Sequence, residues 1–144
     1  MNWIRKPPLL ALITGAALLY PLICWAPPFL EPEISIEPGG SPNAINTQAN
    51  GLIPVAILGS EVFDVDSIDP TTLAFGPSGA APAHMAGGHY GDVNSDGWLD
   101  IVSHYATQET EIAPGDISAC VIGELFDGTY FEGCDAISTR PPNP

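Results

Sequence analysis

The chain has 144 residues, a length that suits one domain. Its 3 basic residues, Arg5, Lys6 and Arg140, stand against 17 acidic ones, and the resulting charge of −14 excludes nucleic acid as a partner, because phosphate binding needs a cationic surface. Hydrophobic residues at 45% exclude simple disorder, while 15 glycines and 16 prolines favour turns and short strands over long helices.

Residues 1–26, MNWIRKPPLLALITGAALLYPLICWA, place Arg5 and Lys6 ahead of an apolar run from Leu9 to Ala26. A positive start followed by an apolar helix is the layout of a secretory signal peptide. Ala26, with Cys24 two positions before it, makes a fair cleavage site, but Pro27 directly after it is unfavourable to signal peptidase. An uncleaved membrane anchor is the alternative, since the run is about long enough to cross a bilayer. Either way the remainder is expected to be secreted or otherwise extracytoplasmic, tethered to a membrane if the segment stays. Residues 27–32 read as a Pro-rich spacer, residues 33–139 as the domain proper, and residues 140–144 as a disordered tail.

The domain reads as strands. Glu33 to Glu37 alternates over one short stretch. Leu52-Ile53-Pro54-Val55-Ala56-Ile57-Leu58 is a branched apolar run between Gly51 and Gly59, short enough for a buried strand. Thr71 to Phe75, between Pro70 and Gly76, reads the same way. Trp98 to Tyr105 alternates, with Leu99, Ile101 and Tyr105 on one face and Asp100, Val102 and His104 on the other. Ile117–Phe126 and Thr129–Ile137 flank Asp127-Gly128, a dipeptide suited to a two-residue hairpin turn. About seven short strands with no long helical periodicity predict an all-β fold, an antiparallel β-sandwich of the immunoglobulin-like kind, preceded by the N-terminal signal or anchor helix.

Cys120 and Cys134 lie on the two arms of that hairpin. Two-residue pairing sets Val121 opposite Cys134 and leaves Cys120 one position out of register, so a disulfide calls for a bulge near Gly133. Two nearby cysteines in an oxidising compartment usually pair, and two separate buried thiols are the alternative.

Between two predicted strands lies Gly91-Asp92-Val93-Asn94-Ser95-Asp96-Gly97-Trp98-Leu99-Asp100-Ile101. Counted from Asp92 as position 1 of a Ca²⁺ loop, Asn94 is position 3, Asp96 position 5, and Gly97 fills position 6, where the chain turns sharply. Trp98 at position 7 offers a backbone carbonyl, Asp100 is position 9, and Leu99 can turn inward to anchor the loop. Alternate oxygens in a tight turn suit a hard cation with 6–8 oxygen ligands, and Mg²⁺ less, because it demands near-ideal octahedral geometry. Position 12 is Ser103 where an EF-hand has Glu, and a strand follows. The loop instead resembles those of FG-GAP and thrombospondin type 3 repeats. Its single copy excludes the propeller that several FG-GAP copies build. A solvated acidic turn without metal is the plainer alternative.

The stretch Ile34-Ser35-Ile36-Glu37-Pro38-Gly39, then Gly51-Leu52-Ile53-Pro54-Val55-Ala56-Ile57-Leu58, then Ile68-Asp69-Pro70-Thr71-Thr72-Leu73 and Phe75-Gly76-Pro77, resembles an uncharacterised module of secreted bacterial and archaeal proteins. Gly88-His89, the Asp92 loop, Val102-Ser103-His104-Tyr105 and Glu132-Gly133-Cys134-Asp135 continue the resemblance over residues 33–139. It implies a secreted β-sandwich-like module and no activity.

His84, His89 and His104 are the only histidines. With Asp92 or Asp100 they offer ligands for zinc or iron, yet no two have the i, i+4 spacing of a helical metal motif, and hydrogen-bonded structural histidines are the simpler reading. Nucleophile motifs are missing. The expectation is a non-enzymatic, exported, calcium-stabilised β-sandwich with a structural, adhesive or binding role, its metal ligands Asp92, Asn94, Asp96, Trp98 and Asp100. Its partners are calcium and a glycan or extracellular protein. The alternatives are a carbohydrate-binding module, using exposed Tyr and Trp rings, and a metal-dependent hydrolase using His89 and His104.

Overall fold

The computed structural model describes residues 29–84 and 87–140. The segment read as a signal or anchor helix, residues 1–26, lies outside the described residues, as do residues 141–144 of the predicted tail. Among the described residues no helix is long and apolar enough to cross a membrane.

In chain order the elements are β1 (Phe29–Leu30), β2 (Ile34–Ile36), β3 (Ala44–Asn46), β4 (Leu52–Ile57), β5 (Ile68–Phe75), β6 (His89–Gly91), β7 (Asp100–Ala106), α1 (Thr107–Thr110), β8 (Ser118–Leu125), β9 (Tyr130–Ala136) and β10 (Ser138–Arg140). The strands form one four-stranded sheet in the order β2-β4-β7-β6, a second in the order β1-β9-β8-β5, and a two-stranded ribbon of β3 and β10. Neighbours within the two large sheets run antiparallel, except that β1 lies parallel to β9, and β3 and β10 are also parallel. The predicted all-β, sandwich-like architecture is therefore present. Phe29 and Leu30, from the segment read as a spacer, extend one sheet, and Arg140 closes the ribbon opposite Asn46 where a tail was expected.

The apolar run predicted as a strand forms β4 at the centre of its sheet. Ile53, Val55 and Ile57 alternate inward and are buried. Pro54 is tolerated there because of its partners. Its carbonyl accepts the Glu37 amide, and the Glu37 carbonyl that its absent N–H would have met accepts the Gly40 amide at 2.7 Å instead. On β7 the inward residues are Ile101, Ser103 and Tyr105. Leu73, Phe75, Val121 and Phe131 meet them from the second sheet. Each such side chain contributes roughly 1.5–3 kcal/mol when removed from water. The Phe75 and Tyr105 rings lie 5.0 Å apart across the core. Burial pushes the Tyr105 phenol up to about 12, with the nearby Ser103 hydroxyl pulling weakly the other way.

The β8–β9 hairpin departs from the two-residue expectation. The Leu125 amide donates to the Thr129 carbonyl, and the Gly128 amide donates to the Leu125 carbonyl. The connection is therefore three residues, Phe126-Asp127-Gly128, with Gly128 in the left-handed region at φ 84°. The added loop residue moves the register by one. Cys120 now lies directly opposite Cys134, Val121 opposite Gly133, and no bulge is needed. The two cysteines form a disulfide, which favours an oxidising compartment.

Candidate metal centre

The acidic loop joins β6 to β7, two neighbouring strands at one edge of the first sheet, as expected of a strand-connecting loop. Its curvature comes from two residues in the left-handed region, Ser95 at φ 64° and Gly97 at φ 92°. The side chains close the turn on its own amides. Asp92 accepts from the Asp96 amide at 3.2 Å through Oδ1 and from the Gly97 amide at 3.0 Å through Oδ2. Asn94 Oδ1 accepts from the Asp96 amide at 3.1 Å, and Asn94 Nδ2 donates to Asp96 Oδ2 at 2.9 Å. Asp96 Oδ1 accepts from the Trp98 amide at 2.8 Å. Asp92, Asn94 and Asp96 are thus gathered on the exposed inside of one turn.

Asp100 is placed differently. It is fully buried, and both carboxylate oxygens are engaged by backbone: Oδ1 accepts from the Gly59 amide and Oδ2 from the Val93 amide, each at 2.8 Å. It therefore fastens the loop to the chain leaving β4. Leu99, expected to turn inward as the anchor, is 40% exposed instead. A buried acceptor pair satisfies two backbone donors, which an isobutyl group cannot do, and the anchoring falls to Asp100. Trp98 is exposed. Asp92, Asp96 and Asp100 do not bring their oxygens within 4.8 Å of one another.

The donor set still suits a hard cation. Asp92, Asn94 and Asp96 supply side-chain oxygens, and a carboxylate oxygen that accepts one amide keeps a further lone pair. Trp98 can add its carbonyl. Asp100 fits the set as a support of the loop more than as a direct ligand, because it is fully buried and tied to the Gly59 amide outside the turn, while Asp92, Asn94 and Asp96 are exposed.

The three histidines come from three segments and meet at one place. His89 opens β6, and His104 lies on β7 on the same outward face, one diagonal step away in a register that pairs His89 with Val102. His84 reaches them from the connection between β5 and β6, which is held by the Ala83 amide donating to the His104 carbonyl at 2.8 Å. Ring centroids are 5.9 Å apart for His84–His89, 5.6 Å for His84–His104 and 6.0 Å for His89–His104. Sequence spacing gave no sign of this convergence, because it depends on strand register and on a loop folding back. Asp92 and Asp100, weighed as companions of the histidines, do not join the group. Glu132 lies beside Cys120 and Cys134, but those sulfurs are bonded to each other and offer no thiolate.

Compared with protein-family models, curated proteins and solved structures, the chain matches none.

Proposed function

We propose that this chain is an exported, non-enzymatic module, an immunoglobulin-like sandwich in which calcium bound at the Asp92–Trp98 turn stiffens the β6–β7 edge. Its role on this reading is structural, adhesive or partner-binding. The observation that carries it is the gathering of Asp92, Asn94 and Asp96 around shared amides, with Asp100 buried beneath as the tie to Gly59. The excess of 17 acidic over 3 basic residues adds to it, since a divalent cation offsets self-repulsion at its most crowded point. The disulfide supports an oxidising, extracytoplasmic setting, where calcium is abundant enough to fill even a weak site. The resemblance to secreted modules and to FG-GAP-type loops points the same way.

Calorimetry in calcium and in chelator, at matched ionic strength, tests the proposal. At a hundredfold excess of calcium over its dissociation constant the folded state gains about 2.7 kcal/mol, and the melting temperature rises accordingly. Asp92→Ala and Asp96→Ala remove that rise. An unchanged melting temperature in the unmodified chain overturns the calcium reading.

A further inference from the structure

Three imidazoles in mutual contact carry a cost unless something binds them. Protonated, they repel one another. Neutral, each still presents a ring nitrogen lone pair that needs a donor or a cation. In this protein all three histidines of the chain share one cluster, and their ligating nitrogens lie within 4.8 Å of one another. No carboxylate joins the three at that distance, although acidic residues outnumber histidines by 17 to 3. Among the described residues, Nδ1 of His104 is buried and has no hydrogen-bond partner.

We propose that His84, His89 and His104 form a binding site for a divalent transition-metal ion of the zinc class, separate from the acidic loop. Three imidazole donors with no carboxylate suit zinc, copper or nickel over calcium or magnesium, which take oxygen. Zinc holds imidazole nitrogens at about 2.0–2.1 Å, so the rings need close by only about an ångström. The His84 and His89 side chains are exposed and free to make that movement, while His104 is the fixed member on β7. Three protein ligands leave the fourth tetrahedral position to water, the arrangement of an open zinc site. Burial, then the neighbouring His84 and His89, holds His104 below the usual histidine range.

The backbone around the cluster is built for close approach. Gly87 and Gly88 have φ of 79° and 158°, and a Cβ would lie 2.2 Å from the Pro70 Cβ at Gly87 and 2.5 Å from the Val102 carbonyl oxygen at Gly88. The Gly87 amide donates to the His84 carbonyl at 3.0 Å, and the Ser103 hydroxyl donates to the Gly87 carbonyl. These contacts press the connection onto β7 and bring His84 over His104. The acidic loop begins only three residues after His89, so one short strand separates a nitrogen site from an oxygen site with different ion preferences.

The test is titration of the untagged, oxidised full-length chain with Co²⁺ alone, in detergent to keep the apolar N-terminal segment in solution. Expected are one equivalent bound, visible ligand-field bands of a low-coordinate ion, and displacement by Zn²⁺. His84→Ala and His89→Ala alter exposed side chains and should keep the β-sheet circular dichroism while weakening Co²⁺ binding about tenfold or more. Asp92→Ala should leave it unchanged, and a failed calcium experiment has no bearing on it. Absence of Co²⁺ binding below millimolar concentration overturns the site, and so does unaltered affinity in both His84→Ala and His89→Ala.

Discussion

At the residue scale, Asp100 shows how a side chain that the loop pattern marks as a ligand takes on an anchoring task in the fold. Its position after Asp92, Asn94 and Asp96 marks it as a candidate metal ligand. What it binds in the fold is the amides of Gly59 and Val93, in a site with no access to water. Asp100→Ala leaves two buried donors without partners and should cost roughly 2–4 kcal/mol, read as a lower urea midpoint in the presence of chelator. Asp100→Asn keeps one acceptor oxygen and turns an amide group toward the other donor, so its loss should fall between Ala and none. Equal stability of all three proteins in chelator would show that the carboxylate is not the anchor. The opposite lesson comes from Leu99, whose apolar character suggests burial but which lies 40% exposed. It precedes the point where β7 begins, and the pleat that would turn it inward has not yet started.

At the element scale, the β8–β9 hairpin turns on a single residue of loop length. Asp127-Gly128 is a strong signal for a turn, and the turn is there. Whether the connection has two residues or three depends on which carbonyl the Gly128 amide reaches, and that carbonyl belongs to Leu125. A side-chain period of two makes such a slip matter, since it decides which residues oppose one another. Here it pairs Cys120 with Cys134. The disulfide closes a loop with a sequence separation of 14. Cys120→Ser with Cys134→Ser should destabilise the domain by about 3 kcal/mol, chiefly by freeing the unfolded chain. Serine fits both places, because neither cysteine is buried in the core. Urea unfolding of the double variant measures the loss, and a midpoint equal to that of the unmodified chain would mean that the staple adds nothing.

At the scale of the whole molecule, charge is the dominant property. With −14 net and only 3 basic residues, compaction brings like charges together. Monovalent salt screens this repulsion over about 10 Å at 0.1 M. In chelator, the melting temperature should therefore climb with sodium chloride between low and physiological ionic strength, and calcium should raise it further at constant ionic strength. A flat or falling salt response would show that the acidic groups are spread too far apart to strain the fold.

The sequence by itself determined the all-β class, most of the strands and the position of the acidic turn, because these follow from local pattern: branched apolar runs, alternation, and oxygen-bearing residues ahead of Gly97. The central strand from Leu52 and the hairpin from Ser118 to Ala136 were legible for that reason. The two-residue and three-residue strands β1, β3, β6 and β10 were not, since each is too short to carry a period and exists through its partner. Only the tertiary structure decided the hairpin register, the burial of Asp100 and the meeting of His84, His89 and His104. Each of these depends on groups distant in sequence arriving at one point, and a one-dimensional pattern holds no distances between such groups.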